Sequence, residues 1–150
     1  MIQITIIGSG NVAQHLIKAF SKSEAVEIAQ VFSRKKEKLS SLIEFEKIVS
    51  DYQDLKEADL YIIAVTDNAI ADVSRQLPFN NQLVVHTSGT ASIETLDDKN
   101  RKGVFYPLQT FSKNKEIDFS VIPICLEADN TFDFRVLETV QKAFQKLFFQ

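Results

Sequence analysis

The chain has 150 residues, 45% of them hydrophobic and 25% charged, and carries a net charge of −3. That length suits one globular domain, and the mild acidity excludes a general nucleic-acid or polyanion binder while leaving room for a local basic pocket. One cysteine forms no internal disulfide, no apolar run is long enough for a bilayer, and no secretory signal opens the chain, so a cytoplasmic protein without a membrane partner is expected.

The first segment predicts a strand, a turn and a helix. Ile2 to Ile7 is a short apolar run that stops at Gly8-Ser9-Gly10, and an amphipathic stretch begins at Asn11. Together with Ala13 this is the G-x-G-x-x-A spacing of a dinucleotide-binding turn. Gly8 lets the chain turn sharply off the strand, and Gly10 has no Cβ to keep a pyrophosphate away. Ala13 lets the helix pack close to the strand, and the helix N-terminus offers unpaired N–H groups and a positive dipole end. Val12, Leu16, Ile17 and Phe20 recur at helical spacing, which carries the helix to about Ser21.

Val26 to Phe32 is the second predicted strand, and Phe32-Ser33-Arg34-Lys35-Lys36 follows it. An NAD-preferring site usually places Asp or Glu at this tip; here there is none. Ser33 can hydrogen-bond a 2′-phosphate, Arg34 can grip it or stack on adenine, and Lys35 adds charge, which favours NADP. The alternative is that Arg34 to Lys38 is only the solvated first turn of a helix, an end where basic residues are slightly unfavourable. Lys35 to Phe45 is expected to form that helix, with Leu39, Leu42 and Ile43 as its inner face. Ile48-Val49 is at most a short third strand, and Leu55 to Ala58 a connector.

Leu60 to Val65 is apolar throughout, as expected of a strand covered on both sheet faces. Thr66, Asp67 and Asn68 then supply capping chemistry before a helix carrying Ala69, Ile70, Val73 and Leu77, which Pro78 helps to end. One of Thr66 and Asp67 is expected to cap that helix with its side chain, while their backbone, with Val65, lines the nicotinamide half of a site. Leu83 to Val85 leads into His86-Thr87-Ser88-Gly89 at the same sheet edge. His86 either orients a substrate and donates a proton, or has its ring held by the loop backbone. Ser88 has neither a base partner nor a nucleophile-elbow sequence, which argues against serine hydrolysis.

Ser92 to Asp97 is read as a short helix, Gly103 to Tyr106 as a strand, and Val121 to Leu126 as the last strand. In the loop Tyr106-Pro107-Leu108-Gln109-Thr110-Phe111, Gln109 and Thr110 are expected to face substrate, with Leu108 and Phe111 anchoring the loop in the core. Cys125 is expected to be a buried structural thiol, and His15 a packing or surface residue. Two histidines and one cysteine, widely separated, make no zinc or iron site. Thr131 to Phe148 predicts an amphipathic helix whose apolar face is Phe132, Val136, Val140, Phe144 and Phe148, with Leu137 and Leu147 beside it. Phe148-Phe149 near the end points either to a following segment or to two rings packed beneath the domain. Alternating strands and helices make the fold class α/β, a doubly wound, mostly parallel sheet with helices on both faces.

Five stretches in order, Ile-Gly-Ser-Gly-Asn-Val-Ala, Val-Phe-Ser-Arg, Ala-Val-Thr-Asp-Asn-Ala-Ile, His-Thr-Ser-Gly and Phe-Tyr-Pro-Leu-Gln-Thr-Phe, resemble a known group. They look like the N-terminal part of the Rossmann-like NADP oxidoreductases related to pyrroline-5-carboxylate reductase. The subgroup with a C-terminal helical domain of unknown function is the nearer likeness. The resemblance implies NADP held by Gly8, Ser9, Gly10, Asn11, Val12, Ser33 and Arg34, with Val65, Thr66 and Asp67 near the nicotinamide. It also implies a small-molecule substrate bound between this domain and a helical domain that builds a homodimer, and that helical domain is expected to be missing from this chain. On this reading the protein transfers hydride between NADP and a small carbonyl or imine, with His86, Gln109 and Thr110 polarising or positioning the substrate. The alternative is a non-catalytic dinucleotide-sensing module. A methyltransferase fits poorly, because such sites want an acid where Ser33-Arg34 stands.

Overall fold

The computed structural model describes residues 1–108 and 121–145. Seven strands form one sheet in the order β3-β2-β1-β4-β5-β6-β7, comprising β1 (Ile2–Ile7), β2 (Val26–Phe32), β3 (Ile48–Val49), β4 (Leu60–Ile63), β5 (Leu83–His86), β6 (Arg101–Pro107) and β7 (Ile124–Ala128). All neighbouring pairs are parallel except β6 with β7, which run antiparallel. Among the described residues, three α-helices, α1 (Asn11–Ser21), α2 (Ile70–Gln76) and α3 (Thr131–Gln145), complete the expected α/β Rossmann-type sheet.

Two apolar cores lie on the two faces of the sheet. One joins Leu16, Ile17 and Phe20 of α1 and Leu137 and Val140 of α3 to Ile4, Ile6, Ile62, Val85 and Phe105. The other joins Ile70 and Leu77 to Ile7, Phe32, Tyr61, Ile63 and Val84. The four side chains of β4, Leu60 to Ile63, are all buried, each contributing roughly 1.5–3 kcal/mol. The middle of the sheet is thereby its firmest part, and it is there that the strand order reverses. β1 has β2 on one side and β4 on the other, with Ile7 opposite both Phe32 and Ile63. In turn Ile63 pairs with His86. The residues that follow, Ser33, Gly8, Ala64 and Thr87, therefore emerge side by side at one carboxyl edge.

Several sequence expectations need correction. Lys35 to Phe45 forms no α-helix; short 3-10 turns occupy Lys36–Lys38 and Phe45–Lys47. The inner face is nonetheless the expected one: Leu39 is buried, and Leu42 and Ile43 pack against the core. With only those three anchors and no side-chain cap at Lys35, the segment has little to hold a longer helix. The short helix expected within Ser92 to Asp97 is present as a 3-10 helix at Ile93–Thr95, with Ser92 as its N-cap.

The last strand runs from Ile124 to Ala128 rather than from Val121 to Leu126, and it covers only one face. Ile124 and Leu126 point to the α3 core, whereas Cys125 lies on the other face and is exposed, not buried. Phe132 is 73% exposed, because α3 turns Asp133, Leu137 and Val140 inward instead. The inward carboxylate takes the Arg101 guanidinium at 3.1 Å and the Asn130 side chain at 2.8 Å. Leu108 is also exposed, so it does not anchor its loop in the core. His15 is a buried packing residue. Phe111, Leu147, Phe148 and Phe149 lie outside the described residues, as does the Phe144 side chain.

Candidate functional site

The glycine turn at the end of β1 is built by contacts that only glycine permits. Gly8 has φ of +135°, and a Cβ there would stand 2.2 Å from the Ala64 carbonyl oxygen. The backbone of β4 passes so close that the turn and the β4 edge form one surface. The Gly8 N–H donates to the Phe32 carbonyl at 3.0 Å, and the Ala64 N–H donates to the Ile7 carbonyl at 2.8 Å. Gly10 is the opposite case: a Cβ there meets nothing within 4 Å. This open space above the α1 N-terminus is where a pyrophosphate would approach the backbone.

Helix α1 begins with Gly10 as its N-cap, without a side-chain cap. The Gln14 N–H closes the first helical bond onto the Gly10 carbonyl at 3.0 Å, so the amides of Asn11, Val12 and Ala13 precede the helical ladder. The Gln14 side chain donates to the Ser9 carbonyl at 2.8 Å and holds the loop in place. Asn11 is exposed and Val12 half-buried, while Ala13 is buried against the sheet as its small size predicts.

At the tip of β2, Ser33 is buried and its hydroxyl accepts the Lys35 N–H at 3.0 Å. That oxygen closes a local turn, and its own hydrogen is left to donate. Arg34 and Lys35 are exposed beside it. The Ser33 N–H reaches the Val49 carbonyl at 2.9 Å, and Ser50 Oγ donates to the Ser33 carbonyl at 2.7 Å, which fastens this tip to β3. Beyond β3, the Tyr52 ring stacks on Phe32 with centroids 4.1 Å apart and planes at 6°. Burial pushes its phenol pKa up, and the positive charge of Arg34 nearby opposes that rise. Tyr52 was missed by sequence reasoning, and an aromatic residue shortly after a two-residue strand gives little signal of its own.

At the β4 edge, Val65 is half-buried and Thr66 and Asp67 are exposed. Thr66 sits at the N-cap position without capping: its hydroxyl donates to Asn68 Oδ1 at 2.8 Å. Asp67 Oδ2 accepts the Thr90 hydroxyl at 2.7 Å, which ties the β4 loop to the β5 loop. Hydrogen bonds from Thr90 first, and then Ser88, hold its carboxyl below the usual value. The Ser88 hydroxyl itself accepts the Thr90 and Ala91 N–H groups at 3.1 and 2.9 Å. It is a loop-closing group, in keeping with the argument against hydrolysis.

His86 does not face the cleft. Its side chain is fully buried; Nδ1 accepts the Ser88 N–H at 3.0 Å, and Nε2 reaches the Ser92 carbonyl at 3.1 Å. A carbonyl only accepts, so Nε2 carries the proton and both ring nitrogens are occupied by the loop. Of the two readings of His86, these contacts are those of a ring held by the loop backbone, where it braces Thr87 to Ser92. Gln109 and Thr110 lie outside the described residues. Among the described residues, no cluster of three His, Cys, Asp or Glu side chains stands ready for a metal ion, and no helix is long and apolar enough to cross a membrane.

The structure thus brings Gly8 to Val12, Ser33 to Lys35 and Val65 to Asp67 to one sheet edge, around the point where the strand order reverses. In α/β sheets this crevice is where dinucleotides bind. The sequence model of a family described as NADP oxidoreductase, coenzyme F420-dependent, matches residues 3–89. No curated protein matches the chain. Among solved structures it is similar to BF3122 from Bacteroides fragilis, a candidate NADP oxidoreductase, with 31% identity and a TM-score of 0.82 over 99% of this chain and 64% of that one. An imine reductase from Pseudomonas sp. has a TM-score of 0.71 at 16% identity, over 95% of this chain and 52% of that one. Pyrroline carboxylate reductase from Plasmodium falciparum, with NADP bound, has a TM-score of 0.69 at 14% identity, over 95% and 55%. The last two likenesses show the fold. The chain spans under two thirds of the length of each of these proteins. It belongs to the NADP oxidoreductase, coenzyme F420-dependent family.

Proposed function

From membership of that family, we propose that the chain binds NADP and serves hydride transfer between its nicotinamide and a small carbonyl or imine substrate. The observation that carries this reading is the placement of exposed Arg34, with Lys35, at the tip of β2, beside the glycine turn and without an acid. The open space at Gly10 and the α1 amides fit a pyrophosphate, and Ser33 and Arg34 fit a 2′-phosphate that is nearly a dianion. Val65, Thr66 and Asp67 lie where the nicotinamide half would sit. When bound, the cofactor supplies the hydride, and the protein supplies binding and orientation.

His86 acts as a positioning residue, holding the β5 loop through Ser88 and Ser92. Gln109 and Thr110 are proposed to contact substrate. A helical domain, building a homodimer, is proposed to complete the substrate cleft in the whole protein.

Fluorescence titration with NADPH and NADH tests the cofactor reading. NADPH is expected to bind at least about tenfold more tightly, and Arg34→Ala to erase most of that difference. Equal affinities in the wild type, or an undiminished preference in Arg34→Ala, would overturn it. Oxidation of NADPH in the presence of cyclic imines or small ketones tests the hydride acceptor.

A further inference from the structure

The exit of β4 carries a fixed negative charge at the same sheet edge as the glycine turn. A Cβ on Gly8 would stand 3.4 Å from Val65 Cγ1, so the turn and the residues after β4 share one wall. Two residues further on, the Asp67 carboxylate is exposed but held, since its Oδ2 accepts the Thr90 hydroxyl at 2.7 Å. Thr90 is itself anchored: its N–H donates to Ser88 Oγ at 3.1 Å, and the same oxygen takes the Ala91 N–H at 2.9 Å. Helix capping does not account for the carboxylate, because neither the 3-10 turn Asp67–Ala69 nor α2 has a side-chain cap. Among the described residues, it forms no salt bridge. The cations Arg34 and Lys35 stand at the tip of β2, with β1 between that strand and β4. A carboxylate that is oriented yet unneutralised favours a positive charge placed beside it.

We propose that the Asp67 carboxylate, fixed by Thr90 between the β4 and β5 loops, is a charge partner of the nicotinamide ring and favours the oxidised, cationic cofactor over the reduced, neutral one. This rests on the nicotinamide reading above. The two forms differ by one hydride: when the C4–H bond breaks and both its electrons leave with the hydrogen, the ring passes from neutral to a single positive charge. The hydride joins the carbon of the carbonyl or imine, whose oxygen or nitrogen takes a proton from water. An anion at this edge stabilises the charged ring and leaves the neutral one little changed. Asp67 thereby strengthens hydride donation and tilts the site towards reducing its substrate.

The test compares oxidised and reduced nucleotides in Asp67→Asn, which keeps an oxygen for Thr90 and removes the charge. NADPH is titrated by its fluorescence, and NADP+ by its displacement of NADPH. The ratio of dissociation constants, NADP+ over NADPH, is expected to rise about fivefold, through weaker NADP+ binding. The NAD+ and NADH pair should show the same shift, because the ribose phosphate is remote from the ring. Glu24→Gln removes an exposed charge just before β2, at the opposite edge of the sheet, and should leave the ratio unchanged. The proposal is overturned if Asp67→Asn leaves the ratio unchanged, weakens both forms equally, or shifts it no more than Glu24→Gln does. Equal wild-type affinities for NADPH and NADH would bring down the phosphate reading alone, since the shift between oxidised and reduced forms is still read in either pair. A wild type that binds none of the four nucleotides would overturn both.

Discussion

Gly8 and the Ala64 carbonyl stand so close that a single methyl group between them would lie 2.2 Å from the oxygen. Gly8→Ala therefore meets two obstacles, a backbone atom that cannot swing aside and a φ of +135° that L residues rarely adopt. The substitution is expected to cost about 3 kcal/mol or more in urea unfolding. Gly10→Ala faces open space, so its unfolding free energy is expected to fall by no more than about 1 kcal/mol while NADPH affinity drops at least about tenfold. Equal melting losses in the two variants would show that the turn is not divided in this way.

Replacing His86 by Ala should act first on stability. The buried ring leaves behind an unpaired Ser88 N–H, an unpaired Ser92 carbonyl and a cavity, at an expected cost of about 2–4 kcal/mol. Nitrogen NMR of the imidazole should show protonated Nε2 and bare Nδ1. Finding the proton on Nδ1, or a variant as stable as the wild type, would remove the brace.

The Asp67 carboxyl has a pKa depressed by Thr90 and Ser88, so the sign of its contribution is fixed. Its stabilisation is complete above the ordinary carboxylate value of 3.8 and is lost as pH falls through the lower folded value. The stability gap between wild type and Thr90→Val should be constant above about pH 5 and shrink in acid, measured by urea unfolding at a series of pH values. A gap that ignores acid would mean the bond contributes nothing through ionisation.

Asp133→Ala should cost about 2 kcal/mol. The carboxylate is buried, but its partner Arg101 is partly exposed and recovers water once released, which keeps the loss below that of a wholly buried pair. Thermal melting of Asp133→Ala and Arg101→Met, singly and together, should show losses that do not add. Additive losses would mean that the two side chains act separately.

What the sequence disclosed followed the strength of the local physics. β1, α1, β2 and β3 fall on the residues that apolar runs and spacing indicate, and Gly8 and Gly10 mark a turn few other residues allow. Cys125 and Phe132 misled because periodicity shows that a face is apolar, not whether a neighbouring layer covers it. At Phe132 the helix face is set instead by Asp133, whose buried carboxylate pairs with Arg101. His86 stayed open for another reason: histidine at a sheet edge suits both chemistry and bracing, and its two hydrogen bonds, to Ser88 and Ser92, are not legible in the sequence. Tyr52 stacks on a residue far away in sequence, Phe32, and no local pattern records such a pairing.

The closure of Gly8 by Ala64 also orders events during synthesis. A ribosome releases β1, α1 and β2 long before β4 exists, so for that interval β1 has a partner on only one side. Its other edge, flanked by Ile4 and Ile6, is open to any passing strand. The nucleotide offers no rescue at that stage, because half of its cradle has yet to be translated. Any stabilisation of the fold by a bound nucleotide therefore waits for the β4 edge.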